Sequence, residues 1–254
     1  MMDVQTRREI ALELLQERGE VAVSELCERT GVSSMTIRRD LEVLEQEGAL
    51  RRVHGGAITS DSRGYAAPYT VRAQRNAGSK ERIGKAAAAL LGERETVILD
   101  VGTTTLHVAR ALHSRRNLTV LTPSLPIANL LAKERGIRLM VTGGTVTISE
   151  MSLVGDLAED AFSGLRFDTF VMGVGGFDLD AGCTEFNQED ARVKRAALAS
   201  VRRCIVVADS AKLGKVTFAR ICPLDRVDVL VTDGNADQEV LDAYETQNVE
   251  VVVT

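Results

Sequence analysis

The chain begins with three segments whose apolar residues recur at the spacing of a helix. The first segment predicts a helix over residues 4–17, which Gly19 ends. A second short helix is expected to begin at the capping residue Ser24, and a turn at Gly31 separates it from a third helix capped by Ser33. The inward positions of this third helix are Ile37, Leu41 and Leu44. Two short helices joined by a glycine turn are typical of a helix-turn-helix.

A small hairpin is predicted directly after the third helix, over residues 50–58. Gly55 and Gly56 supply its turn, and Arg51 and Arg52 lie on its first strand. The pattern therefore predicts a wing that presents two cations beside the helix-turn-helix.

From residue 79 onward, predicted strands and helices alternate. Strands are expected at 96–100, 118–122, 137–142, 169–174, 204–208, 227–232 and 249–253. Helices are expected at 79–91, 103–112, 124–133, 156–165, 188–202 and 237–246. This alternation predicts an α/β fold whose mainly parallel sheet is covered by helices on both faces.

Residues 59–78 separate these two patterns. The stretch holds glycine and proline breakers and little apolar periodicity, which indicates a linker. We therefore expect a winged helix-turn-helix domain at 1–58, a linker at 59–78 and an α/β domain at 79–254.

Composition narrows the class of protein. The chain has 254 residues, 44% hydrophobic but only 4% aromatic, which favours aliphatic strands and helices over an aromatic-rich β sandwich. It has no apolar run long enough to span a membrane and no signal-peptide core. The four cysteines form no Cys-x-x-Cys pair, and there are only three histidines. We expect a cytoplasmic protein with no disulfide framework, metal site, cofactor or membrane partner.

The outward positions of the third helix carry residues suited to DNA. Arginine binds guanine edges or phosphates, while hydroxyls and helix N-terminal amides suit phosphate oxygens. The candidate DNA-binding residues of the helix and the wing are Ser33, Ser34, Thr36, Arg38, Arg39, Arg51, Arg52 and His54.

An ordinary solvated helix explains the same pattern. The net charge of the chain is −5, and nearby acids equal the four arginines in number. A pair such as Arg38–Glu42 is expected on any exposed helix. Spacing and charge alone leave DNA binding and a solvated face equally favoured.

Small and polar residues follow the predicted strands of the second domain. Gly102, Thr103 and Thr104 open a helix after Asp100, where free amides and hydroxyls suit a phosphate, although such turns also cap helices. Because the carboxyl ends of parallel strands lie at one edge, we expect polar groups from several strands to meet there. The other candidates at these ends are Thr122, Ser124, Gly144, Asp209 and Lys212.

The two halves of the chain resemble one known family. The N-terminal signature is Ser33-x-x-Thr36-Ile37-Arg38-Arg39-Asp40-Leu41, followed by Leu44, Gly48 and Arg52-x-His54-Gly55-Gly56-Ala57. The later runs are Asp100-x-Gly102-Thr103-Thr104, Gly143-Gly144, Gly173-x-Gly175-Gly176, Glu189-x-x-x-x-Lys194-Arg195 and Asp209-Ser210-x-Lys212-x-Gly214. Together they resemble the DeoR family of bacterial transcriptional regulators over nearly the whole chain.

The resemblance implies a sensor domain similar to ribose-5-phosphate isomerase and coenzyme A transferase folds. It implies that a phosphorylated sugar or polyol releases the protein from double-stranded operator DNA. It also implies phosphate contacts by Gly102, Thr103, Thr104 and Lys212, and hydroxyl contacts by Asp100, Thr122, Ser124 and Asp209. The loop around Glu185 is expected to tune ligand choice. Pro123 departs from the usual Asn and removes an amide side chain and a backbone donor.

The sequence is also compatible with two other functions. A sugar-phosphate isomerase needs a carboxylate base, for which Glu185 and Glu189 are candidates. A DNA-binding protein whose second domain serves only for assembly is the other alternative. We expect a regulator without catalytic residues, and a homodimer or homotetramer, because two-fold operators are read by two-fold proteins.

Overall fold

The chain forms two compact units. The computed structural model describes residues 2–46, 49–59, 63, 66, 69–113 and 115–254. The first unit is Met1–Pro68 and the second is Tyr69–Thr254. Each is described by itself below.

The first unit is a three-helix bundle with a small antiparallel sheet. Its elements are α1 Val4–Arg18, β1 Glu20–Ala22, α2 Val23–Thr30, α3 Ser34–Gln46, β2 Leu50–Val53 and β3 Gly56–Thr59. Gly19 ends α1 in the left-handed conformation, as predicted. Ser24 does not cap α2, because the chain passes from β1 directly into a helix that begins at Val23.

The predicted hairpin is part of a three-stranded sheet of order β1-β3-β2. Strand β3 pairs with β1 on one side and with β2 on the other. A Cβ atom at Gly56 would lie 2.2 Å from the carbonyl oxygen of Val21, so only glycine allows β1 and β3 to come this close.

The second unit is built on a large sheet. Its helices are α4 Tyr69–Gln74, α5 Ala77–Ala89, α6 Thr103–Ala111, α7 Leu125–Leu131, α8 Asp156–Asp160, α9 Gln188–Leu198 and α10 Gln238–Glu245. Its strands are β4 Thr96–Leu99, β5 Leu118–Thr122, β6 Ile137–Val141, β7 Thr145–Thr147, β8 Ser152–Val154, β9 Phe167–Gly173, β10 Gly176–Asp178, β11 Gly182–Glu185, β12 Val201–Val207, β13 Ala219–Cys222, β14 Val229–Thr232 and β15 Glu250–Val253.

Seven of these strands form the predicted sheet, all parallel, in the order β15-β14-β12-β9-β4-β5-β6. Each face carries a separate hydrophobic core. Val97 and Leu99 of β4 pack into one core, and Ile98 packs into the other. Burial on both faces explains the continuous apolar strands of the sequence. The winged helix-turn-helix and this sheet confirm the predicted fold class.

The direction in which successive strands are added to the sheet reverses between β4 and β9. From β4 the chain first builds β5 and β6 on one side, and then β9, β12, β14 and β15 on the other. Such a reversal opens a crevice outside the carboxyl ends of the two central strands, where α/β proteins bind ligands.

Five short strands are not predicted by the sequence pattern. Strands β7 and β8 form a hairpin, and β10, β11 and β13 form a separate antiparallel sheet. Each has only three or four residues, too few to show an alternating pattern. Helix α9 also ends earlier than predicted, at Leu198, and β12 already begins at Val201.

The stretch expected to be a linker is partly structured. Helix α4 and the start of α5 lie within residues 59–78, and residues from Tyr69 onward belong to the second unit. The Tyr69 amide donates to the Ser149 carbonyl at 3.3 Å, and Arg72 forms an ion pair with Glu150. These contacts hold α4 against the β7–β8 hairpin. Residues 60–62, 64, 65, 67 and 68 lie outside the described residues.

Candidate functional sites

The third helix begins with a side-chain cap. The Thr36 amide donates to Ser33 Oγ at 3.3 Å, and the Ser33 and Thr36 hydroxyls lie 3.0 Å apart. Ser33 therefore caps α3, as predicted, and part of its hydrogen-bonding capacity serves the helix itself.

Helix α3 buries one face and exposes the other. The buried residues are Ile37, Asp40, Leu41 and Leu44. Arg7 Nε donates to Asp40 Oδ2 at 2.8 Å, and this buried ion pair fixes α3 to α1. The opposite face exposes Ser34, Arg38 and Arg39.

The exposed arginines of α3 keep their charge available. Within the part of the chain that the structure describes, neither Arg38 nor Arg39 forms an ion pair, and the expected Arg38–Glu42 pair is absent. Asp40 is occupied by Arg7, with Arg8 at 3.7 Å. The acids on this helix therefore do not neutralise its outward cations, which favours DNA binding over a solvated face.

The wing presents its cations unequally. Arg51 and His54 are exposed. Arg52 Nε donates to Glu45 Oε2 at 2.6 Å, and its amide donates to Glu45 Oε1 at 2.8 Å. These bonds hold the pKa of Glu45 below its usual value. Arg52 thus joins the wing to α3, and its predicted phosphate contact would compete with this pair.

A buried ion-pair cluster lies at the carboxyl ends of β4 and β9. Asp100 Oδ2 accepts from the Gly173 amide at 2.9 Å and from Lys194 Nζ. Lys194 Nζ also donates to the Gly173 carbonyl at 2.8 Å and lies 3.2 Å from Glu185 Oε2. Asp100 and Lys194 are each only 1% exposed. This cluster joins both central strands, β11 and α9 at the crevice.

The charged groups of this cluster shift the pKa values of one another. Burial alone would lower the pKa of Lys194, but the carboxylates of Asp100 and Glu185 outweigh burial and raise it. Burial raises the pKa of Asp100 to about 6, although Lys194 opposes this shift. Lys194 is therefore a stable cation that positions two carboxylates, and no proton is readily removed from it.

Gly102, Thr103 and Thr104 form the predicted turn into α6. Gly102 has a φ of +133° and precedes the first helical residue, Thr103. Thr105 Oγ1 donates to the Gly102 carbonyl at 2.9 Å, which fixes the turn. The first amides of α6 have no acceptor within the helix, and they lie just after the carboxyl end of β4, where an anion site is expected.

Three other predicted residues make close contacts with the backbone of nearby residues. Thr122 Oγ1 donates to the Leu99 carbonyl at 2.7 Å and accepts from the Ser124 amide at 3.1 Å. Ser124 Oγ accepts from the Ile127 amide at 3.4 Å and caps α7. A Cβ atom at Gly144 would lie 2.5 Å from the Val154 carbonyl oxygen. Their roles in the effector site remain predictions, since the contacts seen are structural.

Asp209 and Lys212 follow β12, next to this edge of the sheet. Asp209 Oδ2 accepts from Asn76 Nδ2 at 3.2 Å, whereas its buried Oδ1 has no hydrogen-bond partner among the described residues. Lys212 Nζ lies 5.0 Å from the centre of the Phe186 ring, and within the described ranges it forms no ion pair. Lys212 is suited to bind an anionic group of a ligand, and the unsatisfied oxygen of Asp209 is suited to accept a hydrogen bond from a ligand hydroxyl.

Sequence reasoning missed Lys80, which lies close to these residues. It is buried in α5 and donates through Nζ to the Arg72 carbonyl. Burial lowers its pKa to about 8, with Asp209 opposing the shift and Lys212 adding to it. The pKa of Lys212 is lowered as well, by burial first and then by Arg72. The signal in the sequence was the run of cations at Arg72, Arg75 and Lys80, which spans the expected linker and the next helix.

The described residues include no group of three or more His, Cys, Asp or Glu side chains placed to hold a metal ion. Among the same residues, no helix combines the length and apolar character needed to cross a membrane.

Comparison with known proteins covers both units. Residues 7–63 match the DeoR-like helix-turn-helix domain, and residues 75–234 match the DeoR C terminal sensor domain. The putative aga operon transcriptional repressor of Escherichia coli O157:H7 is 33% identical over 97% of this chain and 93% of its own length. The glycerol-3-phosphate regulon repressor of Escherichia coli (strain K12) is 31% identical over 94% of this chain and 95% of its own length.

Solved structures give a more distant similarity. Ribose 5-phosphate isomerase A from Methanocaldococcus jannaschii aligns over 54% of this chain and 55% of its own, with 14% identity and a TM-score of 0.42.

Proposed function

Because this chain belongs to the DeoR family of transcriptional regulators, we propose that it represses an operon of carbohydrate metabolism and is released from its operator by a phosphorylated sugar or polyol. The observation that carries the effector proposal is that two lysines with lowered pKa values, Lys80 and Lys212, lie near the unsatisfied carboxylate oxygen of Asp209.

These groups divide the recognition of such a ligand between them. Two like charges in a poorly solvated region repel each other, and a phosphate dianion relieves that repulsion. The α6 amides at Thr103 and Thr104 add donors without adding charge. Asp209 Oδ1 accepts a hydrogen bond from a hydroxyl group of the ligand. The site therefore favours a ligand that carries both phosphate and hydroxyl groups.

Relatives support the same class of effector. One is named as a repressor of the glycerol-3-phosphate regulon, and another as a putative repressor of the aga operon. We further propose that the protein acts in the cytoplasm, where operator DNA is found. We propose a homodimer or homotetramer, because a two-fold operator requires two copies of the reading helix.

No observation favours the isomerase alternative. Glu185 pairs with Lys194 and accepts from the Phe186 amide at 2.8 Å, so its carboxylate is held rather than poised as a base. Glu189 is exposed in the first turn of α9. Turnover in an aldose–ketose isomerisation assay would contradict this assignment.

A thermal-shift screen tests the effector proposal. At about one hundred times its Kd, a ligand stabilises the folded state by about 2.7 kcal/mol. For a chain of this size that raises the melting temperature by roughly 5 to 10 °C. We expect at least one phosphorylated sugar or polyol to do so with the wild type, and its unphosphorylated parent not to.

Two variants complete the screen. Lys212→Ala is expected to lose the shift, while Lys85→Ala, which changes an exposed lysine of α5 paired with Glu81, keeps it. If no compound of the panel raises the melting temperature, or if Lys212→Ala shows the full increase, the proposed effector site is wrong.

A further inference from the structure

The reading helix carries an exposed apolar side chain among polar ones. Met35 of α3 is 76% exposed, more than any other large apolar side chain described in the first unit, where Val4 is 47% and Val53 is 42% exposed. Because it is 76% exposed to water, Met35 contributes little to the stability of the fold. The side chain is therefore available for contact with a molecule that this helix binds.

Helix geometry places Met35 on the face that carries the exposed arginines. Met35 and Arg39 are four residues apart and share one side of α3, while Ile37 and Leu41 lie on the buried side. Met35 is the second residue of the helix. In helix-turn-helix proteins the first turn of the reading helix is the part that contacts base edges. The Ser33 cap holds this turn in place.

We propose that Met35 recognises the C5-methyl group of thymine in the major groove, and so contributes to operator specificity. Among the four bases only thymine presents a methyl group there, and it is read by apolar contact. The arginines beside Met35 supply hydrogen bonds to guanine or phosphate, which a methyl group cannot accept. A flexible thioether chain adapts to the methyl surface. This inference rests on the DNA-binding function of the chain.

The test begins with duplexes selected from a random library by the full-length wild type. Each thymine of the selected sequence is then replaced, one at a time, by deoxyuridine, which removes the methyl group and leaves base pairing intact. Burying one methyl group is worth about 0.8 kcal/mol, which corresponds to about fourfold in affinity. We expect wild-type binding to fall by about this factor at one position in each half-site.

Variants of the full-length protein assign the effect to Met35. Met35→Ala is expected to bind the thymine and deoxyuridine duplexes equally, and Met35→Leu to keep the preference. The control Gln46→Ala, at the far end of the same helix, is expected to discriminate like the wild type. Because Met35 is exposed, its replacement leaves the core intact, and a melting curve verifies this.

The possible failures are distinguishable. If the wild type selects no sequence, the proposal that it binds DNA sequence-specifically is wrong. If it selects a sequence but tolerates every deoxyuridine, or if Met35→Ala discriminates as well as the wild type, the assignment of Met35 is wrong while DNA binding stands.

Discussion

At the scale of single residues, strand ends were the informative feature of the sequence. Asp100, Asp209 and Lys212 are all predicted as site residues because each lies at or just after the end of a predicted strand. Their surroundings were not predictable, since the Asp100–Lys194 pair joins residues 94 positions apart. Lys80 was missed because its contact with Arg72 depends on a helix placed where breakers indicated a linker.

Lys80 gives a prediction about pH. Its pKa in the folded chain is about 8, so the lysine becomes neutral as the pH rises through that value. We expect effector affinity, measured by isothermal titration calorimetry, to be lower at pH 9 than at pH 7. Arginine stays charged throughout this range, so Lys80→Arg should reduce that pH dependence if it still binds the effector.

The same shift has an opposite consequence for stability. Because the folded pKa lies below the ordinary value of 10.5, the unfolded chain binds more protons between about pH 8 and 10.5. The contribution of Lys80 to the free energy of unfolding therefore rises across that interval.

An effector affinity that is equal at pH 7 and pH 9 would show that the charge of Lys80 plays no part in binding.

At the scale of elements, length decided what was predictable. The seven strands of the main sheet and the helices between them carry enough apolar residues to reveal their period. The three-residue strands β7, β8 and β10 each pair within a short hairpin, and they are too short to show an alternating pattern. The parallel sheet was therefore predictable, whereas the smaller sheet that carries Glu185 was not.

Helix α3 gives a prediction about DNA binding. Arg38 and Arg39 are exposed and make no ion pair among the described residues, so each is available to the duplex. We expect Arg38→Ala and Arg39→Ala to weaken binding to the selected duplex. Where the lost contact is to phosphate, the slope of log affinity against log salt should fall by about 1. Fluorescence anisotropy over a salt series measures both effects.

Arg29→Ala is the matched control, because Arg29 is a half-exposed arginine of α2 that already faces Glu25. It should bind almost like the wild type. If both α3 variants follow the wild-type salt series, α3 is not the reading helix.

At the scale of the whole molecule, regulation requires a free-energy coupling between the two units. An effector releases the operator only if it binds better to the arrangement that does not bind DNA. The coupling is reciprocal, so operator DNA must weaken effector binding by the same factor. The DNA-binding site, formed by α3 and the wing, and the effector site are then two sites that share one equilibrium.

The central claim is that the site around Lys212 controls binding of DNA by α3. The most direct measurement is the anisotropy of the labelled selected duplex, bound to full-length protein and titrated with the phosphorylated sugar or polyol found in the thermal screen. We predict that the wild type releases the duplex, and that Lys212→Ala binds it with equal affinity but retains it throughout the titration. A normal release curve in Lys212→Ala, or retention of the duplex by the wild type, would contradict the account.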